Sequence, residues 1–219
     1  MSKQGLVLLD DTRLEASPTV ANCCMNRERR LSSYRQELRF DPVAFLRDRP
    51  SPAWLDLCCG HGRALVEASR ELPGASLHGV DLVDTFVPVE FSNVSLRAVP
   101  LRHLQPRRRY DLITCVHGLH YLGDKLGAIA AACGWLKSGG LLLAHLDLAN
   151  LRWEDGRCAG RTAVGWLRGQ GLEYRNHRIL RCQGPRALVV PFPYVGADDR
   201  AGPNYTGQPA VHSVYRRGQ

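Results

Sequence analysis

Two carboxylates and a pair of glycines stand in this sequence at a spacing that suits a nucleoside ligand. Asp56 lies in the short apolar run Trp54-Leu-Asp-Leu57, the turn Cys58-Cys59-Gly60-His61-Gly62 follows, and a helical pattern begins near Gly62. Small residues in such a turn let the backbone approach a ligand, and the helix N-terminus presents unpaired N–H groups to it. A carboxylate at the position of Asp56 suits a cationic or hydroxyl-bearing ligand better than a pyrophosphate. Asp81 stands 19 residues beyond Gly62, at the end of a second short strand. A carboxylate there can accept from both hydroxyls of a ribose diol, although an ordinary turn aspartate is the plainer alternative.

His117 and His120 follow a later strand, and an imidazole with a pKa near ~6.5 suits a proton acceptor at neutral pH. Packing beside a ligand would also explain His117, and a capping or core role would explain His120-Tyr121. As metal ligands the two histidines need a third partner; none is evident in the sequence, and no metal is assigned. His145 and Asp147, at the end of the next strand, are further pocket candidates, with a core role open for His145.

The elements that must position these residues follow from pattern. Residues 1–21 have weak periodicity and are expected to wrap the surface or stay loosely ordered. Residues 26–38 carry Leu31, Tyr34 and Leu38 at helical spacing. Asp41-Pro42 gives an N-cap and a first-turn proline ahead of a second short helix. These two helices either cover a sheet edge or form a lid with Tyr34 and neighbouring arginines facing the ligand. Beyond the glycine turn, residues 64–72 read as a helix ended by Pro73-Gly74, and residues 75–80 and 94–99 as strands. Tyr110-Asp-Leu-Ile-Thr-Cys-Val116 is a strand suited to burial on both faces. Residues 125–136 read as a helix closed by Lys137-Ser-Gly-Gly140, residues 141–146 as a fifth strand, and residues 162–168 as a last helix. Residues 172–181 and 187–194, joined by Gln183-Gly-Pro-Arg186, are expected to form an antiparallel hairpin. From residue 196 the chain reads as a loop. Its Asn204, Tyr205 and Gln208 either fold back over an acceptor pocket or belong to a structured surface loop, the latter being the plainer reading.

Composition narrows the class. At 219 residues the chain suits one α/β domain with a short extension, and no run of ~18 apolar residues is present to span a membrane. The apolar stretch at the N-terminus is too short for a signal peptide. Eight cysteines include the adjacent pairs Cys23-Cys24 and Cys58-Cys59 and no CxxC spacing, which removes zinc-ribbon and thioredoxin readings and suits reduced thiols in a cytoplasmic protein. The net charge is +8, but all of the 29 basic residues except Lys3, Lys125 and Lys137 are arginines spread along the chain, so nucleic acid is a disfavoured partner. Leu65 stands where a dinucleotide fingerprint needs its third glycine; the Gly-Lys-Ser/Thr of a P-loop and the Gly-x-Ser-x-Gly of serine hydrolases are also absent.

Taken together, Asp56-Leu-Cys-Cys-Gly-His-Gly62, Val80-Asp81-Leu82, the strand 110–116 and Leu136-Lys-Ser-Gly-Gly140 resemble, in order and spacing, the motifs of class I S-adenosylmethionine-dependent methyltransferases. The resemblance covers roughly residues 50–195. It implies an α/β fold, a Rossmann-like doubly wound sheet of about seven strands with the last antiparallel, helices on both faces and a short N-terminal helical extension. It divides the chain into an extension or lid (1–50), a cofactor domain (51–195) and a tail (196–219). It implies S-adenosylmethionine as cofactor, with Asp81 on the ribose and Asp56 favouring the methionine ammonium. Cys58, Gly60 and Gly62 would give backbone access, with Leu82, Leu101, Val116 and Tyr34 as further cofactor contacts. Pro100 stands where the family often has an aspartate for the adenine amino group, so backbone near Leu101 would serve instead. His117 and His120 would face a small-molecule acceptor and remove its proton. A monomer or homodimer methylating an O or N atom, less readily C, is the leading reading; an RNA methyltransferase or a catalytically inactive partner subunit is the alternative.

Overall fold

A computed structural model describes residues 8–21 and 28–218. Four helices come first: α1 (Asp11–Glu15), α2 (Pro18–Ala21), α3 (Leu31–Leu38) and α4 (Pro42–Arg47). The α/β core follows as β1 (Ala53–Leu57), α5 (Arg63–Glu71), β2 (Ser76–Asp81), β3 (Val94–Ala98), β4 (Tyr110–Cys115), α6 (Lys125–Gly134), β5 (Leu136–His145), β6 (Leu151–Trp153), α7 (Gly160–Gly169), β7 (Glu173–Arg175) and β8 (Ile179–Gln183). Two more strands, β9 (Tyr194–Asp198) and β10 (His212–Tyr215), lie in the tail.

Seven strands form one sheet in the order β3-β2-β1-β4-β5-β8-β7, parallel through β5, with β8 antiparallel to both β5 and β7. This is the doubly wound, partly reversed sheet expected from the sequence. Alternating side chains divide its two faces. Trp54, Leu77, Leu112 and Leu143 pack against α3, α4 and α5; Leu55, Leu57, Ile113, Leu142 and Ala144 pack against α6 and α7. The order reverses between β1 and β4, where a crevice opens at the carboxyl ends of the strands.

Several boundaries differ from the sequence reading. Residues 11–21, expected to wrap the surface or stay loosely ordered, form α1 and α2, pinned by reciprocal hydrogen bonds between Leu9 and Ala197. The expected helix at 26–38 begins at Leu31; residues 1–7 and 22–27, with Cys23 and Cys24, lie outside the described residues. Lys137-Ser-Gly-Gly140 does not cap α6 but is an irregularity inside β5: the register jumps between Tyr110↔Leu136 and Leu112↔Leu141. The hairpin lies upstream of its expected place. Asn176 and His177 adopt left-handed φ of 51° and 57°, which turns β7 into β8, while residues 187–193, with Pro191 and Pro193, join neither sheet. The tail is not a plain loop, because β9 and β10 join β6 in a second, three-stranded sheet. Among the described residues no helix is long and apolar enough to cross a membrane.

Candidate active site

The turn after β1 is shaped by backbone conformation. Cys58, Gly60 and Gly62 have φ of 56°, 60° and 76°, and Gly62 precedes α5 without a side-chain cap. Asp81 fixes this turn from β2: Oδ2 accepts from the Gly60 amide and Oδ1 from the Leu82 amide, both at 2.8 Å. Each oxygen keeps acceptor capacity for a diol. Gly118 is required on the other side, because a Cβ there would stand 2.3 Å from Cys58 Cβ.

A cavity of about 420 Å³ runs from this turn along α6. Cys58, Gly60, Asp81, Leu82 and Leu101 form one part of its wall, and His117 stands on it near Cys58 and Gly118. Small residues of α6 (Gly127, Ala128 and Ala131) leave the space open. Pro100 starts the 3-10 turn that carries Leu101. Asp11 and Glu15 of α1 close the outer wall, with Glu15 paired bidentately to Arg102 at 2.7 and 2.9 Å.

Five of the expected site residues are not on this wall. Tyr34 is fully buried, its ring edge-on to Trp54, and its hydroxyl donates to Asp56 Oδ2 at 2.5 Å. It therefore orders Asp56 and does not face the cavity as the lid reading held. Asp56 is itself sealed behind the turn, with Oδ1 accepting from Thr114 Oγ1 at 2.6 Å. Burial pushes its carboxyl up to about 6, against the hydrogen bonds from Thr114 and Tyr34 and the charge of Arg29. Gly62 sits behind the turn, where a Cβ would meet Leu96, and Val116 packs in the core beside α3. His120 is fully buried with neither ring nitrogen hydrogen-bonded, and burial, reinforced by the charge of His117, lowers its pKa to about 2. It stays neutral near pH 7 and lies off the cavity wall.

Two further groups bear on the site, the first among the arginines that the lid reading placed near the ligand without singling one out. Arg29 lines the cavity though only 8% exposed; it donates to the Cys58 carbonyl at 3.1 Å, and its Nε and Nη1 have no partner. Such a guanidinium can hold a carboxylate. In the sequence it is one arginine of a charged run, with nothing to separate it from its neighbours. Glu37 is the second. Its carboxylate is hydrogen-bonded to His117 Nε2 and lies 3.9 Å from His145 Nδ1. Burial would raise this carboxyl, but His117, His145 and Arg29 hold it below its usual value. The rings of His117 and His145 are 4.5 Å apart, and Tyr205 from the tail closes over them, its hydroxyl 3.3 Å from His117 Nδ1. Of the three tail residues singled out from the sequence, Tyr205 reaches the histidines, while Asn204 bonds within the tail to Thr206 and Gln208. Lys125 holds the tail in place: buried Nζ donates to the carbonyls of Leu122 and Val211 and to Ser213 Oγ.

A family model described as a methyltransferase domain matches residues 26–181. The ubiquinone biosynthesis O-methyltransferase of Bordetella pertussis (strain Tohama I) is 28% identical over 95 residues, 39% of this chain and 39% of that protein. The Bordetella bronchiseptica (strain RB50) protein of the same name matches to the same extent, so the match spans well under half of either relative. Among solved structures, the plantazolicin methyltransferase BpumL, in complex with a monoazolic analogue and SAH, has a TM-score of 0.48 at 15% identity, covering 61% of this chain and 59% of that one. Coclaurine N-methyltransferase, bound to N-methylheliamine and SAH, has a TM-score of 0.43 at 15% identity, covering 52% and 34%.

Proposed function

The chain belongs to the methyltransferase-domain family, the class I S-adenosylmethionine-dependent enzymes its motifs resemble, and from that premise we propose that it methylates an O or N atom of a small-molecule acceptor. The observation that carries this reading is one continuous cavity with Cys58, Gly60, Asp81, Leu82 and Leu101 on its wall and His117 beside the turn. In this reading Asp81 takes the ribose hydroxyls, the glycine turn admits the methionine moiety, and Arg29 receives its carboxylate. Asp56 acts at one remove, through the negative field it sets beneath the turn, and Tyr34 holds it. The adenine edge meets backbone at Leu101, with Asp11 and Glu15 of α1 across from it. Gly62 and Val116 shape the turn and the end of β4 from behind.

The acceptor stands beside His117, at the carboxyl ends of β4 and β5, and His120 backs His117, the two rings stacked 5.8 Å apart. The sulfonium is already an electrophile, so the chief task is alignment of acceptor, methyl and sulfur in line. Free thiols at all six described cysteines support action in a reducing, cytoplasmic setting, and a cavity built from one chain is compatible with a monomer or homodimer.

Calorimetry tests the donor: S-adenosylhomocysteine should bind one to one and NADH should not, and NADH binding alone would overturn the reading. A screen of labelled methyl transfer against small-molecule extracts, with RNA in a parallel arm, identifies the acceptor class. His117→Ala should lower turnover far more than S-adenosylhomocysteine affinity.

A further inference from the structure

We propose that Glu37, His117 and His145 form a binding site for a divalent transition-metal ion of the zinc type beside the cofactor cavity. One donor atom from each residue lies within 4.8 Å of the other two. They come from three separate elements: Glu37 from α3, His117 from the turn after β4, and His145 from the last position of β5.

The hydrogen bonds around the triad favour an ion. His145 Nε2 faces the backbone carbonyl of Glu37 at 3.4 Å, and a carbonyl can only accept, so that nitrogen carries the hydrogen. Nδ1 is then a bare lone pair. It is buried without any hydrogen-bond partner and looks across 3.9 Å at Glu37 Oε2, another acceptor. The two acceptors repel, with His145 Nδ1 shut off from solvent, and at that separation a proton bridges them poorly. A cation between them satisfies both.

Both histidines also have an oxygen partner on the second ring nitrogen, Tyr205 Oη for His117 and the Glu37 carbonyl for His145. This is the outer-shell arrangement that fixes ring orientation in metal sites.

Two imidazoles and one carboxylate suit zinc or its neighbours, whereas magnesium seeks oxygen ligands alone. Three protein ligands leave a position open. Glu37 is 32% exposed, so ion and acceptor can reach it from solvent. The role of the ion rests on the methyl-transfer reading. An acceptor hydroxyl on it would release its proton to solvent more readily. The oxygen would then bond to the methyl carbon as the carbon–sulfur bond breaks, leaving the thioether of S-adenosylhomocysteine. His117 would be a ligand in the loaded protein, in place of the base role expected from sequence.

The test uses the full chain, stripped with a chelator and titrated separately with Zn²⁺, Co²⁺ and Mg²⁺, with S-adenosylhomocysteine titrated in parallel. One equivalent of Zn²⁺ or Co²⁺ should bind and Mg²⁺ should not, with cobalt giving weak visible bands and no intense thiolate charge-transfer band. Glu37→Gln, at a half-buried position, should weaken Zn²⁺ at least about tenfold, and His145→Asn more, with S-adenosylhomocysteine affinity retained as the check on folding. No Zn²⁺ binding by a chain that binds S-adenosylhomocysteine would overturn the proposal. So would equal Zn²⁺ affinity in both variants, or a thiolate band, which would place the ion on cysteine. The S-adenosylhomocysteine titration reports separately on the donor assignment, whose failure would leave the metal result to stand alone.

Discussion

The Tyr34 hydroxyl donates to Asp56 Oδ2 at 2.5 Å, joining the N-terminal helix α3 to the carboxyl end of the first sheet strand. This contact makes the helical extension part of the site's foundation. It holds the carboxylate beneath the glycine turn, and it sets the face of α3 that brings Glu37, one helical turn further on, to the histidines.

Tyr34→Phe removes this buried bond and leaves the ring contact with Trp54 in place. The expected cost is about 1.5–3 kcal/mol of stability, as for a hydrogen bond to a charged acceptor. Denaturant unfolding measures it. A change within about 0.5 kcal/mol, the usual range for neutral substitutions, would mean that the bond contributes nothing.

Asp56 should give the unliganded protein a distinctive pH dependence. Burial raises its carboxyl to about 6, with Asp81 adding to the rise and Thr114, Tyr34 and Arg29 opposing it; the neighbouring Cys59 thiol is itself pushed up by burial and by Asp56. Between roughly pH 4 and 6 the folded chain keeps a proton that the unfolded chain has released. The contribution is fully present below that window, falls as pH rises through it and is flat above. Comparing wild type with Asp56→Asn isolates it, at about 3 kcal/mol in all. A difference curve that rises with pH over this window would refute the assignment.

Asp81→Ala should weaken S-adenosylhomocysteine binding by about 1–3 kcal/mol through lost charged hydrogen bonds. Because Asp81 also holds the Gly60 and Leu82 amides, thermal melting of the variant must accompany the titration. Unchanged affinity would remove the ribose role.

Gly118→Ala places a methyl 2.3 Å from Cys58 Cβ and 2.9 Å from Cys115 Sγ. Overpacking of this kind costs about 1–3 kcal/mol, and relief requires Cys58 to move on the cavity wall. Both the melting temperature and S-adenosylhomocysteine affinity should fall. A variant with both unchanged would show that the turn is looser than its geometry implies.

Lys125→Met keeps the volume of a buried side chain but strips the Leu122 and Val211 carbonyls and Ser213 Oγ of their donor. The expected loss is about 3 kcal/mol. Hydrogen exchange should show β10 and the Tyr205 segment losing protection before the central strands do. Uniform loss across the sheet would contradict a local anchoring role.

The sequence by itself determined the parallel core of the sheet, the glycine turn and the place of Asp81. These depend on short-range physics: apolar runs that must be buried on both faces, positive φ at small residues, and a carboxylate at a strand end. Asp41 and Pro42 opening α4 were legible for the same reason. Only the tertiary structure decided what stands opposite those elements. Glu37 meets His117 across 80 residues of chain, Tyr205 meets His117 across 88, and His145 meets Glu37 across 108. No periodicity records such pairings, since each side chain obeys only the pattern of its own helix, strand or loop. The tail illustrates the same limit. Its glycines and prolines read locally as loop, but backbone pairing with β6 and β9 makes β10 a strand of a second sheet, and Lys125, buried in another element, ties that strand down at Val211 and Ser213.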